Sequence, residues 1–495
     1  MARGSDMQEV ELLDGDDDVA EQPAPPARNR RRLWWVPVGA AAVALSLVGA
    51  QLVLDAREDA AVARLAAVPG VFPPLGDELE VLRTLSRADV TSIWAGIEIG
   101  GSRLAGILVA QDGSQSFSAI DERTGERLWS TPLLGPDADR AAAMDDGYGG
   151  GCQGDGARGR PATVAACVVT DGFVRYGDDG TQERFPATTS RVVVLDTVDG
   201  HVITGWDVEE TSQLVLVDGL VVVGTRDAEH GVVVVAHDPT SGDERWRYEE
   251  PVDAGDLGRD PSGEYWGLVA AGDAVAMYDD DGLTFLSPTG DVIRDDLRAA
   301  SRNAGFTTDP VTGTFVITSY SDGTARTTTL LARDADPAGD VVLRGEPLQV
   351  TVDDGSLPGM VLTYLSHAYA WDRQTGEELW EAKVQPGYNA LVIRGRVYVT
   401  TSTEVLAVDG RSGAVVWRIP MPSSGTGSLA TDGRDLLLLS PSYDGADDGA
   451  VTVLDLATGD ELRTIPYPQG VADVQLLNGL LVGWSDVSDE VTLLG

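Results

Sequence analysis

Four segments of this 495-residue chain share one spacing: Asp, three residues, Gly, three residues, Trp. They begin at Asp121 (DERTGERLW), Asp238 (DPTSGDERW), Asp372 (DRQTGEELW) and Asp409 (DGRSGAVVW). Two further copies keep the Asp and the Gly. After Asp196 and Gly200 the tryptophan, Trp206, arrives two residues late. After Asp455 and Gly459 an arginine, Arg463, stands in the tryptophan position. Weaker copies lie at 286–290 and 335–339. The turn glycines are then Gly125, Gly200, Gly242, Gly290, Gly339, Gly376, Gly413 and Gly459. Their separation, about 45 residues, is the period of a four-stranded unit repeated around an axis. The interval from Gly125 to Gly200 is the longest.

The unit has a physical reading. A β-branched or alternating run precedes each clear turn, at 192–195, 232–235, 405–408 and 451–454. Such runs are strands. Asp and Ser/Thr side chains close the following turn onto its backbone, and Gly takes the positive-φ position. Upstream lies a second strand opened by Gly, as at 219–224, 395–399 and 479–483. One unit is therefore strand, turn, Gly-led strand, turn, strand, Asp-x-x-x-Gly turn and a strand carrying Trp. Residues 388–417 show it whole. The expected fold is an all-β propeller of four-stranded blades, eight by the count of turns, with seven or nine as alternatives. Three strand-like runs follow Gly459, around 471–477, 480–484 and 491–494. The segment 76–79 (GDEL) repeats 459–462 and can bring a closing outer strand from the N-terminal side.

Residues 1–32 are polar and acidic, with three prolines, and read as a disordered cytoplasmic tail. Arg28, Arg30, Arg31 and Arg32 follow, then residues 33–54 without a charge, opening with Trp34 and Trp35. That run is long enough for one transmembrane helix. Basic residues before it and Asp55, Glu58 and Asp59 after it predict a cytoplasmic N-terminus and an extracytoplasmic remainder. A signal peptide cleaved near 48–50 is the rival reading; the length of the run and the long acidic preface favour an uncleaved anchor. Residues 55–88 read as a stalk, helical over 55–68 until Pro69-Gly70 and Pro73-Pro74 stop it. Residues 89–495 are then the propeller.

These repeats resemble the PQQ-type propeller repeat shared by quinoprotein dehydrogenases and BamB-like proteins, over roughly residues 90–495. The resemblance implies that Trp129, Trp246, Trp380 and Trp417, with Trp206 as a shifted version, dock between neighbouring blades. An indole suits that role, since it covers a large apolar area and has one N–H to satisfy. The family's dehydrogenases hold their quinone with an adjacent cysteine pair, a stacking Trp and a carboxylate-bound calcium. This sequence has no adjacent cysteines, so the resemblance carries no cofactor with it. No cofactor is predicted.

Lys and Arg total 36 against 79 Asp and Glu, a formal charge of −43. That excludes a reader of nucleic acid, which needs a basic face. Cys152 and Cys167 are the two cysteines; outside the cytoplasm such a pair reads as a disulfide, with free buried thiols the alternative. The four histidines (His201, His230, His237 and His367) form no metalloprotease pair, and no nucleophile elbow occurs. Acidic runs at 279–282 and 447–449 lack the alternating spacing of a calcium loop and read as solvated turns. No catalytic, cofactor or metal residue is nominated. The expectation is a membrane-anchored binding or scaffolding module for a protein partner in the cell envelope, its oligomeric state open. The alternative is an extracytoplasmic enzyme or small-ligand sensor using the propeller funnel.

Overall fold

The computed structural model describes residues 60–495 apart from short segments, the longest being 86–95, 143–150, 251–265, 298–303, 422–426, 441–448 and 486–490. The predicted tail and membrane span lie outside the described residues, as do Gly125, His230 and the acidic runs 279–281 and 447–448. Among the described residues, no helix is long and apolar enough to cross a membrane.

Nine antiparallel sheets of four strands follow one another along the chain. They are numbered here as blades: blade 1 over 97–134, blade 2 over 152–207, blade 3 over 213–249, blade 4 over 267–294, blade 5 over 304–344, blade 6 over 346–382, blade 7 over 389–420 and blade 8 over 428–466. Blade 9 takes three strands from the C-terminus, Asp473–Leu477, Leu480–Trp484 and Val491–Leu494. Its outer strand, Val81–Leu85, comes from the N-terminal side and pairs antiparallel with Val491–Leu494. The fold is thus an all-β propeller with nine blades. Both weak turn copies prove to be real. The turn at 286–290 serves blade 4, and 335–339 ends in a 3-10 turn, Pro337–Gly339, capped by the Asp336 carboxylate. The ninth blade is the closing one.

Successive side chains of a strand point to opposite faces of its sheet. In a ring of blades both faces are covered, so the middle strands must be apolar throughout, and they are. Ala165, Cys167 and Val169 of blade 2 pack with Phe117 and Ala119 of blade 1. The intervening Ala166 and Val168 pack with Leu214, Val221 and Val223 of blade 3. The same division recurs around the molecule. Nine buried clusters each draw on two consecutive blades, and the ring is closed where Leu480, Val482 and Leu493 of blade 9 meet Leu104 of blade 1.

Two features were not legible in the repeat. Within the connection between the first two strands of blade 6, Gln349–Asp353 forms a fifth strand that pairs parallel with Asn389–Ile393, the innermost strand of blade 7. The stalk is part of the propeller packing. Residues 60–65 are helical. Leu65 joins the cluster between blades 7 and 8, Phe72 and Leu79 join that between blades 8 and 9, and the Phe72 amide donates to Thr431 O at 2.8 Å.

Candidate functional site

The recurrent residues form a docking joint. In the turn after the third strand of blade 7, the Asp409 carboxylate accepts from the Ser412 hydroxyl at 2.7 Å and the Ser412 amide at 2.9 Å. The Asp372 and Asp455 turns repeat the arrangement with Thr375 and Thr458. Asp121 uses Thr124, and Asp238 uses Thr240 and the Arg245 guanidinium. The Ser412 hydroxyl holds the Asp409 carboxyl below its usual range, and the Thr375 amide does the same for Asp372. Gly459 sits at φ +76°, and a Cβ there would come within 2.6 Å of Trp417. Only glycine tolerates both the left-handed backbone and the ring pressed against it.

Each tryptophan lies on the outer strand of one blade and covers the glycine turn of the next. Trp129 covers Gly200, Trp246 covers Gly290, Trp380 covers Gly413 and Trp417 covers Gly459. Trp380 donates its indole N–H to Gly410 O at 2.8 Å, and Trp417 to Leu456 O at 3.3 Å. The register is common: Trp129, Trp246, Trp380 and Trp417 stand opposite Ala119, Ala236, Ala370 and Ala407. Each partner lies two residues before the turn Asp, and a small side chain there leaves room for the ring.

Where a blade lacks this tryptophan, an arginine does the joining. Arg463 stands opposite Val453 in the same register and pairs with Asp77, while also donating to Leu75 O at 2.8 Å. The segment 75–77 is thereby held at the closure of the ring. On blade 4, Arg294, buried, makes a bidentate pair with Asp340 of blade 5 at 2.8 and 2.9 Å. Nothing local in the sequence marks the second pair.

Blade 2 departs from the pattern in three ways. First, Cys152 and Cys167 face one another across its two innermost strands and are joined as a disulfide. Second, a two-stranded hairpin, Phe173–Tyr176 with Gln182–Phe185, is inserted between its second and third strands, and Phe173 stacks on Phe185 with centroids 4.5 Å apart. With the long connection from blade 1, this accounts for the wide interval between Gly125 and Gly200. Third, Thr204 occupies the docking register opposite Val194, and Trp206 lies opposite Val192. The late tryptophan seen in the sequence is displaced in space as well.

The displacement has a structural counterpart. A Cβ on Gly242 would meet Trp206 only at 3.3 Å, looser than the joints at Gly200 or Gly459. Trp206 instead stacks on His237, with centroids 4.5 Å apart, and His237 Nδ1 bonds Gly242 O at 2.9 Å. The third strand of blade 3 is left half-covered at Val233, Val235 and His237, whereas Val405, Leu406, Ala407 and Val408 of blade 7 are buried. A cavity of about 380 Å³ opens there, between 206–209 of blade 2 and the second to fourth strands of blade 3. The sequence flagged the displaced Trp206 but not the cavity. Close by, Asp196, Asp199 and His201 bring three ligand-type atoms within 4.8 Å of one another in the exposed turn of blade 2. There Asp199 Oδ1 already accepts from the His201 amide and lies 2.8 Å from His201 Nδ1.

Comparison with known proteins gives the family. The model of the outer membrane protein assembly factor BamB family matches residues 113–319 and 338–478. Among solved structures, BamB from Moraxella catarrhalis is 14% identical, with TM-score 0.38, over 84% of this chain and 97% of that one. A quinohemoprotein alcohol dehydrogenase from Pseudomonas putida HK5 is 14% identical, with TM-score 0.35, over 89% and 81% of the two chains. A computationally designed protein, Ika8, is 15% identical, with TM-score 0.33, over 65% and 94%. No curated protein matches the sequence. With more than half of its length matched by the family model, this chain belongs to the BamB family of PQQ-like β-propellers.

Proposed function

We propose that this chain is a single-pass, membrane-anchored extracytoplasmic propeller that acts as a binding or scaffolding module for a protein partner in the cell envelope. The observation that carries this reading is its membership of a family described by an envelope assembly factor, over residues 113–319 and 338–478. Two further points support it. The residues that recur from blade to blade are engaged in turn closure and blade docking, so what varies between blades is left to recognise something else. The charge asymmetry around residues 33–54 favours a cytoplasmic tail and an external propeller. No cofactor is assigned.

Crosslinking in intact cells, then detergent extraction and mass spectrometry, tests this. One stoichiometric envelope protein, lost when 89–495 is deleted, is the expected result. Absence of any partner above background would contradict it and bring the sensor or enzyme reading forward.

A further inference from the structure

The joint between blades 2 and 3 is the one a displaced tryptophan leaves open, and its cavity has a defined chemistry. Val208, Val223, Val233 and Val235 supply apolar lining beside Trp206. Two carboxylates, Asp207 and Glu209, stand at the same opening and are exposed. Among the described residues neither carboxylate has a hydrogen-bond or ion-pair partner. The cation that also lines the cavity, Arg247, is turned to another group: its Nη2 lies 2.8 Å and its Nε 3.3 Å from the Glu244 carboxylate. The opening therefore keeps its negative charge, on a protein that carries −43 in all. Its volume falls at the lower end of the ~300–1,000 Å³ of ligand-binding pockets.

An apolar channel ending in two free carboxylates is complementary to a long side chain with an aliphatic stem and a cationic head. Such side chains lay their methylenes on apolar surface and keep the charge at the polar rim. A guanidinium or ammonium there forms charge-assisted hydrogen bonds with carboxylates. We propose that this groove receives an arginine or lysine side chain presented on an extended segment of a partner protein. The stem would lie along Val208, Val233 and Val235, with the cation between Asp207 and Glu209. The proposal rests on the scaffold reading above and names the part of the partner that the propeller grips.

The test uses the full chain, purified in detergent, and fluorescently labelled Val/Thr nonapeptides with a central Arg, Lys, citrulline or Glu, read by anisotropy. Free arginine serves as competitor. The Arg and Lys peptides should bind. Citrulline, Glu, and the Asp207→Asn/Glu209→Gln variant should each weaken binding by about tenfold or more, as loss of charge-assisted bonds implies. Val235→Trp, which fills the cavity without removing the carboxylates, should abolish it, and unchanged thermal melting would show both variants folded. Equal binding of the Arg, citrulline and Glu peptides, or no binding, would overturn the proposal. So would competition by free arginine at the peptides' own affinity, which would make the groove a small-cation site. In cells the two readings separate. A partner crosslinked equally by wild type and by Asp207→Asn/Glu209→Gln would sink the groove and leave the scaffold. Peptide binding without any crosslinked partner would do the reverse.

Discussion

Blade 7 and blade 2 use the same four-strand unit, and they meet the next blade in different ways. Blade 7 spans 389–420 with short turns, and Trp417 stands opposite Ala407, covers Gly459 and bonds Leu456 O. Blade 2 carries an inserted hairpin and a disulfide, and it places Thr204 where Trp417 has its counterpart. The joint from blade 7 to blade 8 is filled. The joint from blade 2 to blade 3 leaves about 380 Å³ open. Where the repeat is obeyed, every recurrent side chain is used in holding blades together. Where it is broken, surface becomes available for recognition, and a covalent link compensates for a longer and less regular blade.

The largest expected effect is on the regular joint. Trp417→Ala should destabilise the propeller by about 3–5 kcal/mol, the range for removing a packed aromatic. Trp206→Ala should cost less than half as much, since its ring sits over an underfilled joint. Denaturant unfolding of the two variants checks this, and equal losses would break the comparison. Next comes the disulfide. Cys152→Ser/Cys167→Ser opens a link across a sequence separation of 15 and should cost ~3 kcal/mol in the chain-entropy model. Limited proteolysis should then cut first within blade 2, leaving blade 7 intact.

The glycine turns give a smaller contrast. Gly459→Ala adds a methyl group 2.6 Å from Trp417, whereas Gly242→Ala adds one 3.3 Å from Trp206. Both place Ala at positive φ, at a strain of about 1–3 kcal/mol. The excess loss at Gly459, read as a lower melting temperature, isolates the tightness of the joint. The smallest effect is on pH dependence. Turn hydrogen bonds, led by the Thr375 amide for Asp372 and the Ser412 hydroxyl for Asp409, hold these carboxyls below the unfolded value of about 3.9. Their contribution is therefore present above about pH 4 and is lost as pH falls through the lower folded values. Melting temperature should be insensitive to these groups from pH 5 to 8 and should decline below 4. Asp409→Asn should flatten that decline slightly.

How much was legible follows from how local each signal is. The Asp-x-x-x-Gly turn and its Trp lie within nine residues, so blades 1, 3, 6 and 7 could be read directly. The turns of blades 4 and 5 lack the Asp or the Trp, and the arginine that joins them reaches a carboxylate 46 residues away. The closing strand Val81–Leu85 pairs with the far end of the chain, and its partner segment is tied by Arg463 across 386 residues. The GDEL echo at 76–79 hinted at this closure; only the pairing fixes the count at nine. The parallel strand Gln349–Asp353 carries no turn signature at all. At the candidate site, the sequence showed that Trp206 was late. That the lateness leaves Val233 and Val235 half-covered beside Asp207 and Glu209 depends on how two blades pack.

The central claim is that the joint between blades 2 and 3 is open where the joint between blades 7 and 8 is closed. Hydroxyl-radical footprinting with residue-level mass spectrometry measures that directly. Oxidation of Val233, Val235 and His237, with protection of Val405, Leu406 and Val408, is the predicted result. Equal protection of the two strands would contradict the account.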